Sequence, residues 1–519
     1  MLATLRGPGG RSAGLIAGTG LLIATWAMTT PPFSAPDEAD HYLRTLSVGA
    51  GQLIGSPAKD ARYPALDPVQ EAWVLQSVRE IDVRAGMVPD GFACNAFRPE
   101  VSAGCATALA PPAPDKVRRL TTVGTYQPAL YLLPGLVTDF ASDRVVALRL
   151  GRFTFGGLSF FLIAAGLACF AIDLATSLGA LLALTPMVLF MASVLSPSGP
   201  EIAAGFALWA GLLSLTREGA GRDGGSAAHR RGLATVMASG TVLALSRSMG
   251  PLWIALMLGA CLVWVGPRRA LEIARRTPRL SSATVLLVGA ACVFNRVWDA
   301  RYGPALRSTR HFSLRDALGL SAPLLPRWAE QQIGNFQYLE TPMPPYAYAI
   351  FFGVAAGLLL GALITGRIRD RLALAALAGL VVAVPLLLHA FLMLPWGWNV
   401  QGRHVLPFTV ALPVFAGEVL SRRAFPGRVA SALMTVACAL CGVVQLVGLH
   451  TSARRSAVGL HGPWWFLSRA EWSPPLGWAV WGCVALAGAV ALIAAAVVRR
   501  AHGPRTESPQ RFALTGPRG

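Results

Sequence analysis

Within eight residues, Ser34-Ala35-Pro36-Asp37-Glu38-Ala39-Asp40-His41 brings together three carboxylates and an imidazole. A carboxylate held close to a reacting hydroxyl can take its proton, and clusters of titratable groups at a surface are where acid–base chemistry is done. Asp37 is the candidate base and Glu38 the alternative. Asp40 and His41 are candidates for orienting that base, contacting substrate or helping to ligate a metal. The competing reading is an ordinary acidic first turn, which the helix dipole favours. Ser34 with Asp37 three residues on, and Pro36 between, predicts a helix start with a capping-box-like pattern, placing Asp37 and His41 on one helical face. One helix supplies at most three ligands and no H-E-x-x-H motif is present, so a divalent cation is left open as a cofactor and its site unassigned.

The element that must position this cluster is the apolar run before it, residues 13–30, which reads as an uncleaved signal-anchor helix rather than a cleaved leader. Hydrophobic residues make up 54% of the chain and charged residues 14%, with mean hydropathy +0.52. Soluble domains are nearer 25% charged, so the chain reads as an all-α polytopic membrane protein. The net charge of +19 is almost wholly arginine, since Lys59 and Lys116 are the only lysines. Those arginines sit in short loops between apolar runs, which fits a topology signal and lipid headgroup contact, not nucleic acid. About twelve spans can be drawn, near 13–30, 146–172, 174–195, 201–216, 232–247, 249–266, 282–298, 346–366, 373–395, 403–421, 429–450 and 477–498. With both termini cytoplasmic, the basic loops fall inside. The expected layout is an anchor helix (1–30), an extracytoplasmic loop with interfacial helices (31–145), a multi-span domain (146–498) and a basic cytoplasmic tail (499–519).

The first outer segment, residues 31–125, holds 11 of the 26 acidic residues. Its stretch from Glu71 to Asp82 fits helix or strand equally. Cys94 and Cys105 share this loop, which predicts a structural disulfide in an oxidising exterior, with free thiols the alternative. The other six cysteines fall in apolar runs and read as packing residues. Residues 126–141 are apolar but short and carry Pro128 and Pro134; an interfacial position suits them. Glu201, Arg247, Arg403, His404 and Arg296 all fall at outer ends of spans, where acids and arginines would line a polar cleft. Arg247 and Arg403 are candidate phosphate clamps, or else snorkel to headgroups. Glu201 is a substrate-binding candidate, or the partner of one of those arginines.

Several motifs then fall into a familiar order: Pro36-Asp37-Glu38-Ala39-Asp40-His41, Phe92-Ala93-Cys94-Asn95-Ala96-Phe97 with Cys105, Tyr126-Gln127-Pro128-Ala129-Leu130-Tyr131, Ser196-Pro197-Ser198-Gly199-Pro200-Glu201, Ser246-Arg247, and Gln401-Gly402-Arg403-His404-Val405-Leu406-Pro407. Together they resemble a bacterial membrane-protein family of unknown function (domain family two-one-four-two). That family is similar in turn to the GT-C class of polyprenyl-phosphate-sugar-dependent glycosyltransferases. His404 stands where the family commonly has tyrosine. The resemblance implies a GT-C-like fold with a large first extracytoplasmic loop, in the cytoplasmic membrane with its active face outward. It implies a sugar moved from a polyprenyl-phosphate donor to a cell-envelope glycan or lipid acceptor, with Asp37 as base. Asp40, His41, Glu201, Arg247 and Arg403 would bind substrate. A transporter or flippase of a lipid-linked glycan, or a non-catalytic envelope-assembly protein, are the alternatives.

Overall fold

The computed structural model describes residues 10–88, 93–105, 115–170, 172–217, 227–423 and 427–497. The expected tail 499–519, and Asp90, Phe92 and Arg222, lie outside these. In chain order the α-helices are α1 (Gly10–Thr29), α2 (Glu38–Gly49), α3 (Pro68–Ser77), α4 (Ala129–Thr138), α5 (Arg144–Cys169), α6 (Leu174–Ala183), α7 (Pro186–Ala192), α8 (Ser198–Leu215), α9 (Ala227–Ala244) and α10 (Gly250–Val265). They continue as α11 (Pro267–Arg275), α12 (Pro278–Tyr302), α13 (Leu314–Ser321), α14 (Leu325–Ile333), α15 (Pro345–Thr365), α16 (Ile368–Leu388), α17 (Gly402–Thr409), α18 (Ala411–Ser421), α19 (Arg428–Val458) and α20 (Gly477–Val497).

Eight helical stretches among the described residues are long and apolar enough to cross a membrane, and the bent pairs α6/α7 (63°) and α10/α11 (104°) raise the number to ten. By length and apolar composition alone twelve is not reached: α8 and α9 are helices where spans are drawn, but neither is among the ten. Helix α8 opens on Ser-Gly-Pro-Glu, and every residue but Ser214 is buried, packed against α5, α9, α7 and α17. The first and last described helices meet, α1 packing along α20 and α5.

Between α1 and α5 lies a second layer that is not purely helical. Strands β1 (Ser56–Pro57), β2 (Arg79–Arg84) and β3 (Lys116–Thr121) form an antiparallel sheet, with Arg79 opposite Thr121 and Asp82 opposite Arg118. The ambiguous Glu71–Asp82 stretch is thus both structures in succession. Helix α3, capped by Asp67, ends at Ser77, and β2 starts at Arg79, burying Ile81 and Val83 on Leu43 of α2 while alternate residues face out. The all-α expectation is corrected by this sheet and by the short hairpin of β4 (Asn335–Phe336) and β5 (Thr341–Pro342). Helix α4 lies in the stretch expected at the interface and crosses α2 so closely that a side chain at Gly49 would meet the Gly135 carbonyl at 2.4 Å. Its other side leaves Leu132, Leu133 and Leu136 exposed.

The expected disulfide is formed: Cys94 and Cys105 are bonded, with Cα atoms 6.0 Å apart. Arg455 of α19, fully buried, fastens that loop by donating to the carbonyls of Asn95 (2.8 Å), Arg98 (3.0 Å) and Val101, and it pairs with Glu340 at 2.7 Å. At the opposite end of the bundle, buried Glu418 takes Arg217 and Arg422 together, and Asp370 pairs with Arg423 at 2.7 Å.

Candidate functional site

Asp37 is the N-cap of α2, but its backbone lies in the left-handed region (φ 58°) and its side chain makes no capping bond. This corrects the expected capping box. Ser34 does not cap the helix; its hydroxyl is buried without a partner. Aspartate tolerates this conformation better than most residues, and here it turns the carboxylate away from its own helix toward Arg403, 2.6 Å from Oδ2. The Asp37 side chain is 48% exposed whereas Arg403 is 2% exposed, so the pair has an open side and a closed side.

The neighbours of Asp37 divide the work. Glu38 is fully buried and faces into the fold, its two oxygens receiving Arg152 Nε (2.8 Å) and Nη2 (2.6 Å), with Leu195 N–H adding a third bond at 3.0 Å. Arg152 also donates to the carbonyls of Ala27, Thr30 and Pro31, satisfying the open end of α1. Glu38 is therefore a clamp joining α1, α2, α5 and the turn after α7, with no open face for a substrate. Asp40 accepts the Thr122 N–H at 2.7 Å, and its own carbonyl accepts the Thr121 hydroxyl, which fixes the end of β3 over α2. His41 Nδ1 meets the Tyr131 hydroxyl at 2.8 Å, and its ring lies 5.9 Å from that of Tyr126. Asp40 and His41 thus point to separate partners instead of joining Asp37 around a metal. No group of three or more His, Cys, Asp or Glu placed to hold a metal ion occurs among the described residues.

The arginines arrive from distant elements. Arg403 enters at the first turn of α17, its Nε bonded to Gln401 Oε1 at 2.6 Å. Gly402 must be glycine, because a Cβ there would lie 2.3 Å from the Trp328 carbonyl of α14; the Gly402 N–H bonds Gln331 at 2.8 Å. Arg247, in the turn between α9 and α10, donates to Ser198 Oγ (3.1 Å) and Tyr126 OH (3.0 Å) and lies over the Tyr126 ring. Asn295 of α12 holds that turn through the carbonyls of Ala244 and Arg247. Glu201 is buried and accepts Trp253 Nε1 at 3.1 Å; it forms no direct ion pair with either arginine. His404 turns back to cap Gln401. Arg296 pairs with Asp299 on the exposed side of α12 and is not part of the cluster.

The protein packed around the half-exposed Asp37 carboxyl would by itself push it up, but Arg403 outweighs this and holds it well below the usual carboxylate range. Burial raises Asp40, and the Asp37 charge adds to that against the bond from Thr122. Burial, reinforced by both arginines against the pull of Asp37, pushes His41 down to about 3, so it is neutral at pH 7. Its Nε2 and the Arg403 Nη1 are buried with no partner, as is Gln127 Nε2. Buried polar atoms are nearly always bonded, and the unpartnered nitrogens of His41 and Arg403 flank one accessible carboxylate.

Of the residues expected at the site, Asp37, His41, Arg247 and Arg403 are brought together, Glu201 sits behind Arg247, and Glu38 and Asp40 serve the scaffold. Sequence reasoning missed Arg152, Arg44, Asn295 and Gln401 as positioning residues and Tyr126 and Tyr131 as direct partners. Arg44 is fully buried and donates to the carbonyls of Leu53 (2.6 Å) and Tyr126 (2.7 Å). The tyrosines carried a signal, in the repeated aromatic of Tyr126-Gln127-Pro128-Ala129-Leu130-Tyr131. Arg152 carried none beyond being a charge inside an apolar run.

Comparison with protein families gives a match over residues 21–412 to the model described as "Predicted membrane protein (DUF2142)". The chain belongs to this family. The DUF2142 match begins within α1, ends within α18 and includes every member of the cluster from Asp37 to Arg403. It leaves out α19, whose Arg455 fastens the disulfide loop, and α20, which packs on α1. No curated protein and no solved structure matches the chain.

Proposed function

We propose that this DUF2142 protein is a membrane glycosyltransferase of the GT-C kind. It would move a sugar from a polyprenyl-phosphate donor to a cell-envelope glycan or lipid acceptor at the outer face of the cytoplasmic membrane. The observation that carries the reading is the accessible Asp37 carboxylate set beside two arginines and two unpartnered buried nitrogen atoms. An acceptor hydroxyl attacks the anomeric carbon, forming a new C–O bond, and its proton passes to Asp37. The bond from that carbon to the phosphate oxygen breaks, and the electron pair leaves with the lipid phosphate. Arg403 and Arg247 stabilise the charge that develops there. Arg403 is shared: it pairs with Asp37 at rest and has Nη1 free for a phosphate oxygen. Drawing the guanidinium toward the leaving group relieves its pull on Asp37 and makes the carboxylate a better base as the proton is due. His41, neutral and braced by Tyr131, offers Nε2 to a substrate hydroxyl or phosphate oxygen.

The arginine distribution supports the orientation. Arg217, Arg268, Arg269, Arg275, Arg276, Arg279, Arg367, Arg369, Arg371, Arg422 and Arg423 fall in the loops expected to be cytoplasmic, away from the layer of residues 31–145. The test uses the full chain in lipid, polyprenyl-phosphate sugars labelled in the sugar, and crude envelope acceptor. Wild type is expected to move label off the lipid, and Asp37→Asn to lower that rate by roughly 10²–10⁴-fold while reaching the membrane normally. Transfer undiminished in Asp37→Asn would remove Asp37 from the chemistry. Label that crosses the bilayer still on its carrier would favour transport instead.

A further inference from the structure

A cavity with mostly apolar walls and a few polar groups lies away from the Asp37 cluster, at the C-terminal end of α19 on the side of the disulfide loop. It has a volume of about 170 Å³ and is lined by Pro342, Met343, Pro344, His450, Thr451, Arg454, Leu460 and Trp464. His450 follows the long apolar run of α19, and the polar Thr451-Ser452-Ala453-Arg454-Arg455 comes directly after it. The cavity thus sits at the depth of lipid headgroups, where the exposed Trp464 (53%) and Trp465 (73%) are typical anchors.

Three features describe its ligand. His450 Nε2 faces the Trp464 carbonyl at 3.1 Å; a carbonyl only accepts, so the proton of the neutral ring is on Nε2. Nδ1 is then an acceptor, and it is buried with no partner, which calls for a hydroxyl or N–H donor. Arg454 borders the same space, 6.0 Å from the Trp464 ring centroid, with one nitrogen on the Leu460 carbonyl. A guanidinium suits a phosphate. The indole of Trp464, with His450 against it at 4.2 Å between centroids, walls the cavity with a flat apolar face.

We propose that this cavity binds a phosphodiester bearing a polyol, as on the glycerol headgroup of an anionic phospholipid in the adjoining leaflet. The phosphate lies on Arg454, a polyol hydroxyl donates to His450 Nδ1, and the acyl chains remain in the bilayer. The site is independent of the transferase reading. The neighbouring Arg455 is not available to it, being spent on the disulfide loop and Glu340.

The test is native mass spectrometry of the full chain in detergent, titrated with phosphatidylglycerol or phosphatidylcholine. Wild type is expected to retain one more phosphatidylglycerol than Arg454→Gln, with at least fivefold weaker occupancy of that adduct in the variant, and no such adduct with phosphatidylcholine. Because Arg454 also holds Leu460, Thr451→Trp provides a second variant that fills the cavity and leaves the arginine in place; it should lose the same adduct. Glycerol 3-phosphate added without lipid distinguishes a free polyol phosphate from a membrane lipid: an adduct of its own with wild type, lost in both variants, supports the same chemistry from a soluble source. Equal phosphatidylglycerol retention by wild type and both variants, or equal binding of phosphatidylcholine, overturns the proposal.

Discussion

At the scale of single residues, Asp37 departs from the usual behaviour of an aspartate that opens a helix. It gives no bond to its own N-terminus, takes a left-handed backbone, and spends its charge on Arg403, 366 residues away. Because its folded-state pKa lies below the ordinary value near 3.9, the carboxylate stays ionised as pH falls through 5, and the acid limb of kcat/KM should lie below pH 4. Arg403→Gln removes the strongest of the influences that lower the pKa and leaves burial, which raises it. The limb should then move upward by at least about one unit, since a unit corresponds to only about 1.4 kcal/mol of lost interaction. Profiles of kcat/KM for both proteins, carried down to about pH 2 on the acid side, check this. An unmoved limb would mean that Asp37 is not the group titrating in catalysis, whatever the loss of rate.

At the scale of elements, the site rests on clamps rather than on the helix that bears it. Glu38 and Arg152 are both almost fully buried, and between them they tie the end of α1, the start of α2 and the middle of α5. Removing one partner of a buried pair strands the other charge, at a cost of about 3–5 kcal/mol, whereas an apolar replacement of both is often close to neutral. Glu38→Ala and Arg152→Met should each lower the thermal midpoint and the amount of protein in the membrane, and the combination Glu38→Leu with Arg152→Met should recover much of both. Stability of Glu38→Ala equal to wild type would deny the clamp. These elements also mark what the chain discloses before it folds. The acidic opening of α2, the cysteine pair and the apolar periodicity are local, so they are legible along the sequence. Arg152, Arg455 and Asn295 act on partners 48 to 360 residues away and look, in sequence, like polar residues in or beside apolar runs. The capping expectation at Ser34 failed for the converse reason: a local pattern lost to the long-range pull of Arg403 on Asp37.

At the scale of the whole molecule, function depends on which side of the membrane holds the layer between α1 and α5. The difference between ten and twelve spans does not decide this. Helices α8 and α9 are adjacent in sequence and packed together, so crossing by both or by neither leaves every later loop on the same side. What decides it is charge, and α11 gives the sharpest instance. The chain turns by 104° after α10, and Arg268, Arg269, Arg275, Arg276 and Arg279 gather in or beside α11. Retention of such a basic segment in the cytoplasm would follow from the positive-inside effect, and the proposed transfer at the outer face requires it, since residues 31–145 must then lie outside to meet a lipid-linked sugar. Single cysteines make this measurable, because Arg119 in β3 and Arg279 in α12 are both exposed. In intact cells a membrane-impermeant maleimide should label the Arg119→Cys chain above the unsubstituted background, and the Arg279→Cys chain only after permeabilisation. The reverse pattern would turn the protein over, put Asp37 in the cytoplasm, and sink the proposal of transfer at the outer face.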